Sequence, residues 1–368
     1  VQRRPAWAGA APQAPWRDLS PIREELFGPE RLEDHATSLA RVQSVARRPR
    51  RVLALNRRLK DNAAVLLAAY RYNGAALVSH QSVPPAAQWL LDNFHLVEKQ
   101  LAQIALDLPP GYYRQLPKLA AGPFAGYPRV LELAWAYVAH TDSLVARPML
   151  GRFVQAYQQV QPLMIGELWA VAITLRIVLV ENMRRLAVQI NEAHALRLAA
   201  DALVDAGAGA PLPADSGELP EILAAQIAKR LRGCDPVETP LLGWLEDRLR
   251  RQGTDPDDVV ARAQARQGAS NVTMRNIVTS MRTLSEIDWA EFFEEMSRVD
   301  ARLRAVSAFG AMDFATRDRY RAAIETLARG SAASELEVAE AALALAAEGP
   351  TPREREPGHA LIGTGRAA

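Results

Sequence analysis

The chain has 368 residues, 49% of them hydrophobic and 23% charged, a composition that excludes a disordered or fibrous protein. Lys and Arg number 44 and Asp and Glu 42, a formal net charge of +2 that gives no bias toward nucleic acid or a membrane surface. The single cysteine, Cys234, excludes an intrachain disulfide framework and a Cys-based zinc site and suits a reducing compartment. Ala, Leu and Arg dominate and β-branched runs are scarce, which favours helix over strand. The start at Val1, with no signal-peptide layout after Arg3 and Arg4, and the abrupt end at Ala368 are those expected of an excerpt from a longer polypeptide.

Residues 1–20 are Pro- and Ala-rich and are expected to form a poorly ordered tail. Residues 21–204 read as a helical domain. A helical pattern begins near Ile22 and passes through Leu26, Leu32, His35 and Leu39. Arg47-Arg48-Pro49-Arg50-Arg51 reads as a solvated basic junction, with contact to anionic lipid or a partner as the other reading. From Val52 the pattern is again helical: Leu55, Leu59, Asn62, Leu66 and Tyr70 share one face, and Asn73-Gly74 reads as its end. Pro84-Pro85 opens a helix in which Leu90, Phe94, Val97, Leu101 and Ile104 form a stripe, and Leu108-Pro109-Pro110-Gly111 stops it. Tyr112 to Tyr127 reads as a loop rich in Gly, Pro and aromatic residues, with Arg114 and Lys118. Helices follow from Pro128 to about His140, from near Pro148 through Phe153 and Tyr157, and from Gln161-Pro162 to about Ala199. Within the last of these, the apolar run Leu168 to Val180 is shorter than the roughly 20 residues a bilayer requires and carries Arg176, so a buried helix is expected.

Residues 205–217, DAGAGAPLPADSG, read as a flexible linker. No strand precedes their Gly-Ala-Gly, so they are not a phosphate-binding loop. Residues 218–348 read as further helices, either packed with the first set or separate from it. The expected helices are Leu219 to Leu231, Pro240 to Gln252, Pro256 to Leu284, Trp289 to Phe309, Thr316 to Arg329 and Ser334 to Ala347. Asp255-Pro256-Asp257-Asp258 is a helix-start signal, and Ser334 with Glu337 makes a capping box. Met274, Ile277, Met281 and Leu284 form an apolar stripe. Residues 349–368 read as a structureless junction toward a missing downstream region. The expected fold is all-α, a multi-helix bundle or stacked helical pairs with no substantial sheet and no fixed-period repeat.

Several constellations have the residue types of a functional site. Asp92 and His95 lie at i, i+3 spacing, close enough for the carboxylate to orient a base. His140 and Asp142 lie at a helix end, where a histidine can cap carbonyls. The two His-Asp pairs do not have the spacing of a chelating motif, so no metal site is expected. Arg176 in the apolar helix should meet a carboxylate from another helix. Glu167, Trp169, Glu181 and Asn182 on the same helix read as a structural network or as a polar pocket for a hydroxyl-rich ligand. Asn271, Arg275, Asn276 and Arg282 read as an inter-helix network. No G-x-S-x-G, H-E-x-x-H, Walker loop or Gln-x-x-Arg-Trp stretch is present, so no catalytic residue is assigned.

Five long strings carry a resemblance. They are WLLDNFHLVEKQ (Trp89 to Gln100), LPPGYYRQLPKLAAGPFAGYPRVLELAWAYVAHTDS (Leu108 to Ser143), VQPLMIGELWAVAITLRIVLVENMRRLA (Val160 to Ala187), NVTMRNIVTSMRTLSEIDWAEFFE (Asn271 to Glu294) and AMDFATRDRYRAAIETLARGS (Ala311 to Ser331). Together they resemble the N-terminal region of bacterial cyclic β-1,2-glucan synthases, over residues 20 to 365. EPGHALIGTGR is similar to that family's junction before its first membrane segments. The resemblance implies a large inner-membrane parent that polymerises glucose from UDP-glucose, with UDP-glucose and a divalent cation bound by a transferase domain beyond Ala368. It implies the cytoplasmic side of that membrane. The expected partners are the downstream transferase and membrane domains and β-1,2-glucan, with no nucleic acid. Tyr112, Arg114, Trp135, His140 and Glu167 are then the expected contacts with glucan or the transferase, with Tyr113 and Tyr127 exposed beside them, because aromatic faces stack on sugar rings and Arg binds hydroxyls. A non-catalytic helical module is the leading expectation. The alternatives are a stand-alone glucan-binding or glucan-cleaving protein, with Asp92 or Glu167 as acid/base, and a protein-interaction scaffold.

Overall fold

Sixteen α-helices, a 3-10 helix over Ala308–Ala311 and two isolated β-bridges, Val45 with Leu119 and Lys118 with Pro128, form the regular structure of the computed structural model, which describes residues 15–49, 52, 54–207, 211–213 and 217–363. No strand occurs among the described residues, and the fold is all-α as expected. The first helices are α1 (Pro29–Val42), α2 (Leu55–Val78), α3 (Pro85–Asp92), α4 (Phe94–Asp107), α5 (Pro110–Gln115), α6 (Arg129–His140) and α7 (Arg147–Gln158). Then comes α8 (Ile165–Asp205), whose 41 residues span about 60 Å. The remaining helices are α9 (Glu221–Arg230), α10 (Pro240–Arg251), α11 (Pro256–Glu286), α12 (Trp289–Met296), α13 (Arg298–Val306), α14 (Phe314–Gly330), α15 (Glu335–Glu348) and α16 (Gly358–Leu361).

The axis of the bundle is α8. Every residue from Ala170 to Met183 is buried, because Ala, Val, Ile and Leu occupy all of its faces and a helix apolar all round must be enclosed. Helices α2, α4, α6, α11 and α12 pack around it. Local chemistry sets many of the boundaries. Asp255 Oδ1 accepts the Asp258 N–H at 2.8 Å, and Asp313 Oδ1 accepts that of Thr316 at 2.7 Å. The Ser334–Glu337 capping box forms as expected.

Expected boundaries differ at several places: α8 runs past Ala199 to Asp205, and the stretch 349–368, expected to be structureless, holds α16. The chain from 21 to 28 is extended rather than helical, because its backbone groups bond to α6 and α8 instead of to each other. Asn73-Gly74 does not end α2: Asn73 Nδ2 donates to Ala69 O and to Asn191 Oδ1, both at 2.8 Å, and the helix runs to Val78. The helix expected from Pro85 onward breaks at Asn93 (φ −121°, ψ 17°), whose Nδ2 donates to Trp89 O at 2.9 Å. The start of the expected loop after Leu108 is helical, as α5. The helix expected over 289–309 breaks at Ser297, whose Oγ accepts the Asp300 N–H at 3.1 Å.

The larger core runs from Trp16 to Leu361 and includes Met274, Ile277, Met281 and Leu284 of α11. A smaller core joins Ala200 of α8, the inner faces of α9 and α10, and Val259 of α11. The two cores therefore divide along α8 and α11, not at the expected linker 205–217; within that linker, residues 208–210 and 214–216 lie outside the described residues. Of the expected tail, residues 1–14 lie outside the described residues, whereas Trp16 is buried. Arg50, Arg51 and residues 364–368 are also outside the described residues.

Candidate functional site

The buried polar groups along α8 form a series of clamps. At its first turn, Arg129 of α6 meets Glu167 in a bidentate pair, Nε to Oε1 at 2.7 Å and Nη2 to Oε2 at 2.6 Å. Arg129 also donates to Gln161 Oε1 (2.9 Å) and Pro162 O (2.8 Å), and Glu167 accepts the Met164 N–H at 3.0 Å. Burial favours the neutral guanidine, but the bonds and charge of Glu167 outweigh it and keep Arg129 protonated. Two turns past the middle of the apolar run, Glu181 accepts Arg58 twice (2.9 and 2.7 Å), Asn62 (2.8 Å) and Arg185 (2.8 Å). Burial would raise its carboxyl, and the two arginines instead hold it below the usual range. Arg176 donates to Gln100 Oε1 (3.0 Å) and Leu284 O (3.1 Å). Its carboxylate from another helix is Asp107 of α4, at 3.9 Å.

The extended segment 15–28 lies across α6 and α8 as a strap. Asn182 accepts the Ile22 N–H (2.6 Å) and donates to Ile22 O (3.2 Å), like a neighbouring strand. Arg185 donates to Ser20 O (2.9 Å) and Pro15 O (2.7 Å). Glu24 and Phe27 donate their backbone N–H groups to Ala139 O and His140 O, each at 3.0 Å. The polar residues of the most apolar helix therefore satisfy non-helical backbone that would otherwise be buried without partners.

The five expected contact residues do not converge. Tyr112 and Arg114 lie on α5, Tyr112 half-buried and Arg114 exposed. The Tyr112 hydroxyl donates to Gly166 O in the first turn of α8, which places it beside Glu167. Glu167 is wholly buried and bound to Arg129. Trp135 sits between Trp16 (5.7 Å) and Phe124 (5.2 Å), with the Arg185 guanidinium 4.9 Å from its ring centre. His140 is stacked on Phe27 at 3.9 Å and bonds Glu25 O through Nδ1 at 2.8 Å. Tyr127, expected to be exposed, is 1% exposed and accepts Trp16 Nε1–H at 2.7 Å. Tyr113 is half-buried, its hydroxyl pushed up to about 12 by burial.

The remaining candidates are accounted for by packing. Asp92 and His95 are both exposed, on opposite sides of the Asn93 break, and Asp92 instead accepts Gln88 Nε2 at 2.9 Å. Asp142 and Ser143 adopt positive φ (49° and 66°), a conformation that costs about 1–2 kcal/mol per non-Gly residue. Asp142 accepts Thr273 Oγ1 (2.5 Å) and Asn276 Nδ2 (3.3 Å), and Ser143 O accepts Ser280 Oγ (2.7 Å), so α11 holds this turn in place. Of the four residues expected to form an inter-helix network, Asn276 donates to Asp142 O at 3.0 Å and Arg282 to Asn93 Oδ1 at 2.5 Å, whereas Arg275 is exposed and Asn271 Oδ1 has no partner among the described residues. No group of three or more His, Cys, Asp or Glu side chains converges for a metal ion among the described residues.

Several titrating groups were not legible in the sequence. Glu335 accepts the Ile165 N–H at 2.7 Å, and burial, opposed by that bond and reinforced by Glu325 and Glu167, pushes its carboxyl up to about 7. Lys118 donates to Tyr113 O and Leu116 O, both at 2.5 Å, and burial lowers its ammonium to about 8. Arg129 had one available signal: a cation in the first turn opposes the helix dipole, so it needs a tertiary partner. A polar cleft of about 400 Å³ between α9, α10 and α11 is lined by Glu221, Gln252, Thr254 and Arg262, far along the chain from all five expected residues.

The chain is 39% identical over 300 residues to the cyclic β-(1,2)-glucan synthase NdvB of Rhizobium meliloti (strain 1021). The chain is related to the N-terminal region of cyclic β-(1,2)-glucan synthase. The match takes in 79% of the chain and 11% of the length of NdvB, so the synthase has much more chain than this helical region. No protein-family model matches the chain. No helix among the described residues is long and apolar enough to cross a membrane.

Proposed function

We propose that this chain is a helical, non-catalytic module of a cyclic β-1,2-glucan synthase whose full-length form polymerises glucose from UDP-glucose into cyclic β-1,2-glucan. The observation that carries the reading is the 39% identity to NdvB over 79% of the chain. The buried carboxylates support it: Glu167 and Glu181 are each bound by arginine, so neither is free for acid/base work. In this reading UDP-glucose and a divalent cation bind the transferase portion of the parent. The module's partners are that portion and the membrane domains of the same polypeptide, on the cytoplasmic side of the inner membrane. Of the five residues first expected to meet glucan or transferase, Tyr112 and Arg114 on α5 keep that role. Trp135, His140 and Glu167 contribute by holding the frame.

The test has two arms. In a strain whose synthase has its matching region replaced by this chain, Arg129→Ala is expected to abolish cyclic glucan output, and Arg114→Ala to reduce it with the protein still folded. The isolated chain, incubated with linear β-1,2-glucan with and without phosphate, is expected to release no sugar. Release of reducing sugar or glucose 1-phosphate would sink the non-catalytic reading, and unimpaired synthesis with Arg129→Ala would remove the module from the process.

A further inference from the structure

Five carboxylates are buried among the described residues: Asp142, Glu167, Glu181, Asp300 and Glu335. Four of them have a cation. Arg23 lies 3.5 Å from Asp142, Arg129 binds Glu167, Arg58 and Arg185 bind Glu181, and Arg321 binds Asp300. Glu335 is 6% exposed and makes no ion pair with a described residue. Its carboxylate accepts one hydrogen bond, from the Ile165 N–H at 2.7 Å. A buried carboxylate without a cation is costly to ionise, so the folded chain favours its acid form. The charges that face it add to this preference. Glu325 of α14 and Glu167 of α8 have the same sign, and Glu167 is already taken up by Arg129. The cation that acts on it, Arg329 of α14, is exposed and donates instead to Gln115 Oε1 (3.2 Å) and Glu325 O (3.1 Å). Burial raises the carboxyl of Glu325 as well, and it keeps the Tyr112 hydroxyl of α5 neutral beside it.

The place of Glu335 in the fold gives its proton a mechanical role. It is the first residue of α15 and Ile165 is the first of α8, so one carboxyl joins two helix starts. Helices α14 and α15 pack chiefly on each other, on α13 and on α16. Toward α5 and the first turn of α8 their hydrogen bonds are Glu335 with Ile165 and Arg329 with Gln115, and only the first is buried. The Tyr112 hydroxyl donates to Gly166 O on the same turn of α8. Helix α16 belongs to the same unit: Gly358 lies against the Tyr320 hydroxyl of α14, where a Cβ would not fit.

We propose that Glu335 is a proton-operated latch between the α14–α16 unit and the first turn of α8, closed when the carboxyl is protonated and loosened when it ionises. The closed latch holds the proton more tightly than the open one, so a rise in pH through neutrality favours opening. Opening lets water reach the carboxylate and uncovers the turn of α8 that Tyr112 bonds. The proposal does not depend on the glucan-synthase reading.

The experiment is hydrogen exchange with mass spectrometry on the whole chain at pH 6 and pH 8, corrected for the intrinsic rate at each pH. Amides of α14, α15 and the turn at Ile165 are expected to be less protected than those of α6 at both pH values. From pH 6 to pH 8 their protection is expected to fall about tenfold in the wild type, as linkage gives for a carboxyl at about 7 when closed and the ordinary 4.5 when open. In Glu335→Gln, which keeps an acceptor for the Ile165 N–H, that fall is expected to vanish. If this variant does not fold, Glu325→Gln takes its place: it removes a like charge beside Glu335, and the fall is expected to shrink. Protection of α14 and α15 equal to that of α6 at both pH values overturns the proposal. So does a wild type with no fall, or a fall that the variant matches.

Discussion

Arg129 and Glu167 bury two charges where α6 and α8 begin. Removing one partner of such a pair strands the other, at a cost of about 3–5 kcal/mol. Arg129→Ala is therefore expected to lower the denaturant midpoint by that equivalent, and Arg129→Met with Glu167→Gln to recover most of it. A small loss in the single variant would mean that water reaches Glu167. Glu335 has the opposite sign. Its carboxyl is raised from the ordinary 4.5 to about 7, so the folded state holds the proton more tightly than the unfolded one. The stability this gives is fully present below about pH 4.5 and is lost as pH rises through 7, by roughly 3 kcal/mol. Glu335→Gln, whose amide oxygen can still accept the Ile165 N–H, is expected to be more stable than wild type at pH 8 and equal to it near pH 4.5. A gain independent of pH would assign the effect to packing instead.

Among the elements, the strap 15–28 has no internal hydrogen-bond ladder. It is held by Trp16 in its aromatic pocket and by side chains of α8. Trp16→Ala removes the anchor and leaves the helices their own contacts. The expected result is proteolytic cleavage within 15–28 at a protease level that leaves the rest intact, with faster amide exchange at Glu24 and Phe27. If cleavage there appears only with global unfolding, the strap belongs to the main cooperative unit. The same logic explains why the helical spacing of Ile22 and Leu26 makes no helix: Asn182 supplies Ile22 with the backbone partners a helix would have given it, and the helix starts only at α1, which holds Leu32.

At the scale of the whole molecule, the two cores differ in size. The larger encloses the middle of α8 with helices from both halves of the chain, and the smaller holds α9 and α10 against the far ends of α8 and α11. Local opening is easiest where least apolar surface is buried. Amides of α9 and α10 are therefore expected to exchange faster than those of α6 and the middle of α8, measured by hydrogen exchange with mass spectrometry under native conditions. Equal protection throughout would make the two cores one cooperative unit.

What the sequence determined was local. Apolar period and Pro, Asp and Ser signals located α6, α7, α10, α11, α14 and α15 to within a few residues, because caps and stripes act within one or two turns. The long apolar run announced a buried helix, and Arg176 announced a need for a partner. Tertiary structure decided what lies far apart in the chain. It made Tyr127 a core residue, split the Pro85–Asp107 segment at Asn93 to meet Arg282, and used Asn182 and Arg185 to hold a strap more than 150 residues away. It also broke up the surface expected of five residues, burying Glu167 under Arg129 and packing half-buried Trp135 against Trp16. Periodicity shows which face of a helix is apolar, but not which distant side chain will cover the polar atoms on it. That choice depends on burial energetics summed over the whole fold.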